Sequence, residues 1–178
     1  MSSRRISSTA GGLLLLLALV GGLGCYETEY PLGSADKSTV DRAFVGNFTM
    51  TDADKVYSIV IRNLDGHQYY VELAQTNQKD NGPDRRVGYT ADVNGVTFAN
   101  LRQLTDDGSI SNKYLVMRVS ISADGSKLTL RNLNDKFFSD KNIDSQAALT
   151  QLIQANLENN GMYDGDAVVA ARVQPTPK

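Results

Sequence analysis

Residues Val87 to Leu104, VGYTADVNGVTFANLRQL, carry the strongest hairpin signal in the chain. Asn94-Gly95 separates two runs, Val87–Val93 and Val96–Leu104, in which β-branched and aromatic residues recur. A two-residue Asn-Gly loop takes a turn whose twist matches that of the strands it joins, so the runs pair antiparallel. The neighbouring segments read the same way. Lys113–Ser122 alternates most cleanly, with Leu115, Met117, Val119 and Ile121 on one face and Tyr114, Arg118 and Ser120 on the other. The turn Ala123-Asp124-Gly125-Ser126 leads on into Lys127–Asn132, and the polar loop 105–112 precedes.

Upstream, Ala43–Thr51 and Lys55–Arg62 are candidate strands, the second β-branched and aromatic throughout as suits a mostly buried strand. The turn Asn63-Leu64-Asp65-Gly66 follows. His67–Thr76 then alternates, with Tyr69, Val71 and Leu73 opposite Tyr70, Glu72 and Ala74. Residues 77–86 form a polar loop, because Gly82-Pro83-Asp84 does not sit inside a sheet. The period changes only near the C-terminus. From Asp144 to Glu158, Leu149, Leu152, Ile153 and Leu157 fall at helical spacing, with Asp144 or Ser145 to cap the start and Gly161 to end it. A last strand, Ala167–Val173, has no settled register, since Val168, Val169 and Val173 do not share a face.

About seven meandering strands, one helix and a closing strand give a mainly β, antiparallel fold. The expected form is a barrel or strongly curled sheet of about eight strands, with the helix laid over its open side or end.

The N-terminus reads as an address. Arg4 and Arg5, then the apolar run Leu13–Val20 and small residues up to Gly24, make a signal peptide too short to span a bilayer as a permanent helix. The chain divides into a signal peptide (1–24), Cys25 with a polar tether (25–41), one domain (42–174) and a tail (175–178). Removing Arg4 and Arg5 with the signal takes the net charge from −2 to −4, an acidic balance that argues against nucleic acid. The chain has one His, one Cys and no Trp, which leaves little for catalysis by imidazole or thiol, and no enzyme is expected.

Asp106-Asp107-Gly108, Asp124-Gly125 and Asp164-Gly165-Asp166 lack the spacing of a calcium loop and read as turns. His67 has no Cys or second His to share a zinc ion with, and it reads as a hydrogen-bonding surface residue. No catalytic residue, metal ligand or cofactor is therefore expected.

Two resemblances add to this reading. The apolar run ending in Gly24-Cys25 resembles the lipobox of bacterial lipoproteins, with its leucine shifted by one. The resemblance implies acylation of Cys25, cleavage before it, and attachment to the cell envelope. Tyr26 stands where an Asp would resemble an inner-membrane signal, so the outer membrane is the expected home. Acylation would also account for an unpaired Cys in an exported chain. The alternative is an ordinary signal peptide that leaves Cys25 as a free thiol. Second, the strand order resembles a lipocalin, and Phe44-Val45-Gly46-Asn47-Phe48 is similar to the opening motif of lipocalins and fatty-acid-binding proteins, with Phe48 where Trp is usual. By that resemblance Gly46 and Phe48 are architectural, and the barrel has room for an apolar ligand.

Tyr57, Tyr69, Tyr70, Tyr89, Tyr114 and Phe98 lie on strands, where they either fill the core or line a cavity. Small barrels do either. The expected partners are the membrane, through the lipid, and either an apolar small molecule or, for an adaptor with a filled core, another envelope protein.

Overall fold

The structure, a computed structural model, describes residues 26–52, 55–76 and 82–174. Cys25, the signal segment and the tail 175–178 lie outside the described residues. A two-residue strand, β1 (Glu27–Thr28), is followed by β2 (Gly46–Asp52), β3 (Lys55–Asn63), β4 (Tyr69–Gln75), β5 (Asp84–Val93), β6 (Val96–Leu104), β7 (Tyr114–Ile121) and β8 (Lys127–Asn132). Two helices, α1 (Asp135–Ser139) and α2 (Gln146–Ala155), precede β9 (Val168–Arg172).

From β2 to β8 each strand pairs antiparallel with the next, and β9 pairs with both β8 and β2. Eight strands thus close into a barrel, which removes the open edges that a curled sheet would leave. The hairpin at its centre is as expected: Asn94 (φ 53°) and Gly95 (φ 80°) both take positive φ. Register carries one residue in two inward. Phe48, Met50, Ile59, Ile61, Tyr69, Leu101, Leu115, Val119, Leu128 and Ala170 form the inner core. The closing strand settles its own ambiguity: Val168 and Ala170 face in, while Val169 is exposed.

One end of the barrel is plugged. Asp41 accepts from the Ala43 amide at 2.8 Å and starts a short 3₁₀ turn, Arg42–Phe44, where the sequence suggests the beginning of a strand. Arg172 then latches this turn to the last strand. Its guanidinium donates to the carbonyls of Ala43, Val45 and Gly125 and stacks 4.5 Å from the ring of fully buried Phe48. Gly46 is required here because a Cβ would collide with that guanidinium.

A second core lies outside the barrel. Phe98 and Val116 point outward from β6 and β7, and Leu133, Phe138, Leu149, Ile153 and Met162 close over them. So α2 packs on the outer wall instead of over an end. Ser145 caps it through the Ala148 amide, but it ends at Asn156; Gly161 belongs to a separate 3₁₀ turn. The helix α1, not foreseen in the sequence, starts from an Asn134 cap on the Lys136 amide.

The expected tether is a packed strap over residues 26–41. Tyr26 stacks on Phe138 at 4.3 Å between centroids, β1 pairs with β7, and Leu32 is 1 % exposed. Asn100, buried in the wall, grips Leu32 by both backbone groups, accepting from its N–H at 2.7 Å and donating to its carbonyl at 3.1 Å. Apolar burial drives this: Tyr26 and Leu32 would each forgo about 1.5–3 kcal/mol if left in water. The polar residues around them hide that pattern in the sequence. The expected loop 77–86 is corrected at its end, because β5 begins at Asp84, directly after Pro83, which has no N–H to give a ladder. Among the described residues no helix is long and apolar enough to cross a membrane.

Candidate functional site

Inside the barrel the inward side chains leave a cavity of about 170 Å³. Its walls are Ile59 and Ile61 of β3, Val71 and Leu73 of β4, Leu101 of β6, Leu115, Met117 and Val119 of β7, and Leu128 and Leu130 of β8. Phe44 and Tyr69 close it beneath the Arg172 latch, packed edge to face at 6.4 Å. Tyr69 donates its hydroxyl to the Asp41 carbonyl, and burial pushes its pKa up, against hydrogen bonding that pulls it down.

The opposite end is polar and opens to solvent. Asp84 and Arg86 of β5 face in there with Asn132 of β8, and the exposed Asp164 and Asp166 stand on the rim. Arg86 gives its Nε–H to Asp84 Oδ2 at 3.0 Å with its side chain only 8 % exposed. The other carboxylate oxygen, Asp84 Oδ1, is buried without a partner, as is Gln75 Oε1 on the adjacent strand β4. These unmatched acceptors are unusual, since buried polar atoms are nearly always satisfied.

The strand aromatics divide. Tyr57 and Tyr69 face the barrel interior. Phe98 turns out into the second core. Tyr89 lies under the strap and donates to the Gly33 carbonyl at 3.2 Å, Tyr114 meets it edge to face, and burial raises the Tyr89 pKa to about 12. Tyr70 faces outward and bonds Glu72. His67 lies 2.6 Å through Nδ1 from the Ser38 carbonyl, so it ties the strap to the β3–β4 turn.

The Asp-Gly loops are turns. Asp107 accepts from Thr105 and Ser109, Asp124 accepts from Ser122 and Ser126, and these bonds hold both carboxyls at about 2. Among the described residues no three His, Cys, Asp or Glu side chains gather as a metal site. Sequence reasoning missed the rim. Asp164 and Asp166 read as turn residues, and Asp84 and Arg86 as loop; an alternating D-R-R-V start to a strand was the signal available for the latter pair. Phe48 and Gly46 do not line the cavity. Cys25 lies outside the described residues, so the structure places no anchor.

The chain matches no family model, no curated protein and no solved structure.

Proposed function

We propose that this protein is a lipid-anchored protein of the bacterial envelope, acylated at Cys25, that binds a small and largely apolar molecule inside a lipocalin-like barrel. The observation that carries the binding reading is the apolar cavity of about 170 Å³ within a closed wall. An engineered cavity of about 150 Å³ lined by aliphatic and aromatic side chains takes up benzene or xenon, so a space of this size accepts a single ring or a short chain. It is too small for a long acyl chain, since sites for drug-sized ligands run to roughly 300–1,000 Å³. The meander order, the plugged end with Phe48 beneath Arg172, and the helix before the last strand support the lipocalin-like reading. The apolar run before a lone Cys supports the anchor.

Native mass spectrometry of the protein purified without detergent tests binding. A stoichiometric extra mass that vanishes on denaturation is the expected result. A bare mass, together with no uptake of toluene or xenon, overturns it. Labelled palmitate incorporated by the wild type and lost in Cys25→Ala tests the anchor separately. A second reading, an adaptor that holds another envelope protein, draws on Val169 and Val173. Val169 on β9 and Val173 just beyond it are both exposed, and crosslinking through that segment would find the partner.

A further inference from the structure

The charged groups around the cavity are mostly acidic. Asp84, Asp164 and Asp166 contribute carboxylates, and Arg86 is the one cation among the described residues that line it. Arg86 is paired with Asp84 through its Nε–H at 3.0 Å, and Asp164 and Asp166 add two more carboxylates to the same lining. Asp84 Oδ1 remains buried and unmatched, although an ionised carboxylate can accept several hydrogen bonds. Gln75, two residues beyond Leu73, the register partner of Asp84, carries a second unmatched acceptor oxygen but does not line the cavity.

We infer that the molecule held in the barrel bears an ammonium or amine head, seated against Asp84 at the polar end, on an apolar body of one ring or a short chain. This rests on the proposal that the cavity takes a ligand and names the class of that ligand. A donor head completes the coordination of Asp84 and meets the negative rim with opposite charge. A carboxylate head would be repelled by Asp84, Asp164 and Asp166, and a hydrocarbon with no head would leave the buried Asp84 oxygen unmet. The apolar walls set the body: the cavity of about 170 Å³ matches a benzene-sized group. Charge-assisted bonds made away from water are the stronger kind, so the head should dominate selectivity while the walls supply affinity common to all three types.

Calorimetric titration of the full chain with benzylamine, toluene and benzoate tests this, because the three share one ring and differ in the head. Benzylamine should bind at least tenfold more tightly than either of the others. Asp84→Asn should erase that preference while leaving toluene affinity unchanged. Should Asp84→Asn fail to fold, the exposed rim variant Asp166→Asn keeps the test open. It should weaken benzylamine by two- to threefold, leave toluene unaffected, and lose its effect at high salt. Toluene or benzoate binding as tightly as benzylamine, or a preference that survives both substitutions, overturns the inference while the carrier reading stands. If none of the three binds, the carrier reading falls and the inference with it.

Discussion

Phe98 and Leu101 lie three residues apart on one strand and serve different cores. Phe98 faces outward into a cluster in which it, Val116, Leu133, Leu149, Ile153 and Met162 are all fully buried, covered by the strap and the helices. Leu101 faces inward, where the wall is lined with aliphatic side chains and the middle is left open. Close packing is therefore concentrated outside the barrel, between its wall and the segments laid over it. The interior is relieved of part of the stabilising role and can keep a void that a filled barrel would not tolerate.

Breaking the outer core should have the largest effect. Phe98→Ala is expected to cost about 3–5 kcal/mol in urea unfolding, because the site is covered on every side and cannot collapse. Next comes the grip on the strap. Asn100→Ala leaves the buried N–H and C=O of Leu32 without partners, for an expected loss of about 2–4 kcal/mol. Proteolysis should then cut the strap before the barrel.

The same strap should respond to alkali. Burial raises Tyr89 to about 12 in the folded state, above its ordinary value of 10. Its contribution is thus complete below pH 10 and is lost as pH climbs towards 12, a fall on the order of 1–2 kcal/mol after allowance for solvent screening. Tyr89→Phe should flatten that part of the stability curve.

The inner core should behave in the opposite way to the outer. Ala99→Leu, which adds volume to the cavity wall, is expected to raise stability by about 0.5–1 kcal/mol and to abolish toluene uptake. A loss of more than about 1 kcal/mol would mean that the interior is already full. The smallest effect belongs to the β7–β8 turn. Asp124 is held at about 2 by bonds from Ser122 and Ser126, below its unfolded value of 3.8, so its contribution is present above pH 4 and disappears as pH falls through 2. Loss of protection at the Ser126 amide over that window, followed by NMR, would show it.

The barrel was legible because its strands obey period two and its turns carry their own chemistry. Asn94-Gly95 and the Leu115, Met117, Val119 alternation needed no distant contact to be read. What escaped were the features defined by what lies on top. Val116 and Phe98 break the polar side of their strands, which marks a wall covered on both faces. Tyr26 and Leu32 are the cover, spaced irregularly among polar residues. The polar end of the cavity escaped for a related reason. Asp84 and Arg86 belong to β5 and Asp164 and Asp166 to the approach to β9, segments that meet only once the barrel has closed. Nothing local marks them as neighbours.

Closure by β9 also fixes an order of events. Every other seam of the barrel joins strands consecutive in the chain, but the β9–β2 seam and the Arg172 latch onto Ala43 and Val45 span almost the whole domain. A chain leaving a ribosome, or threading N-terminus first through any narrow pore, can form the seven-stranded meander early. It stays open along one side until residue 172 is free to arrive. During that interval β2 presents an unpaired edge, and the growing chain is a template for its neighbours. The time when this protein is most at risk of aggregation is set by the emergence of its last strand.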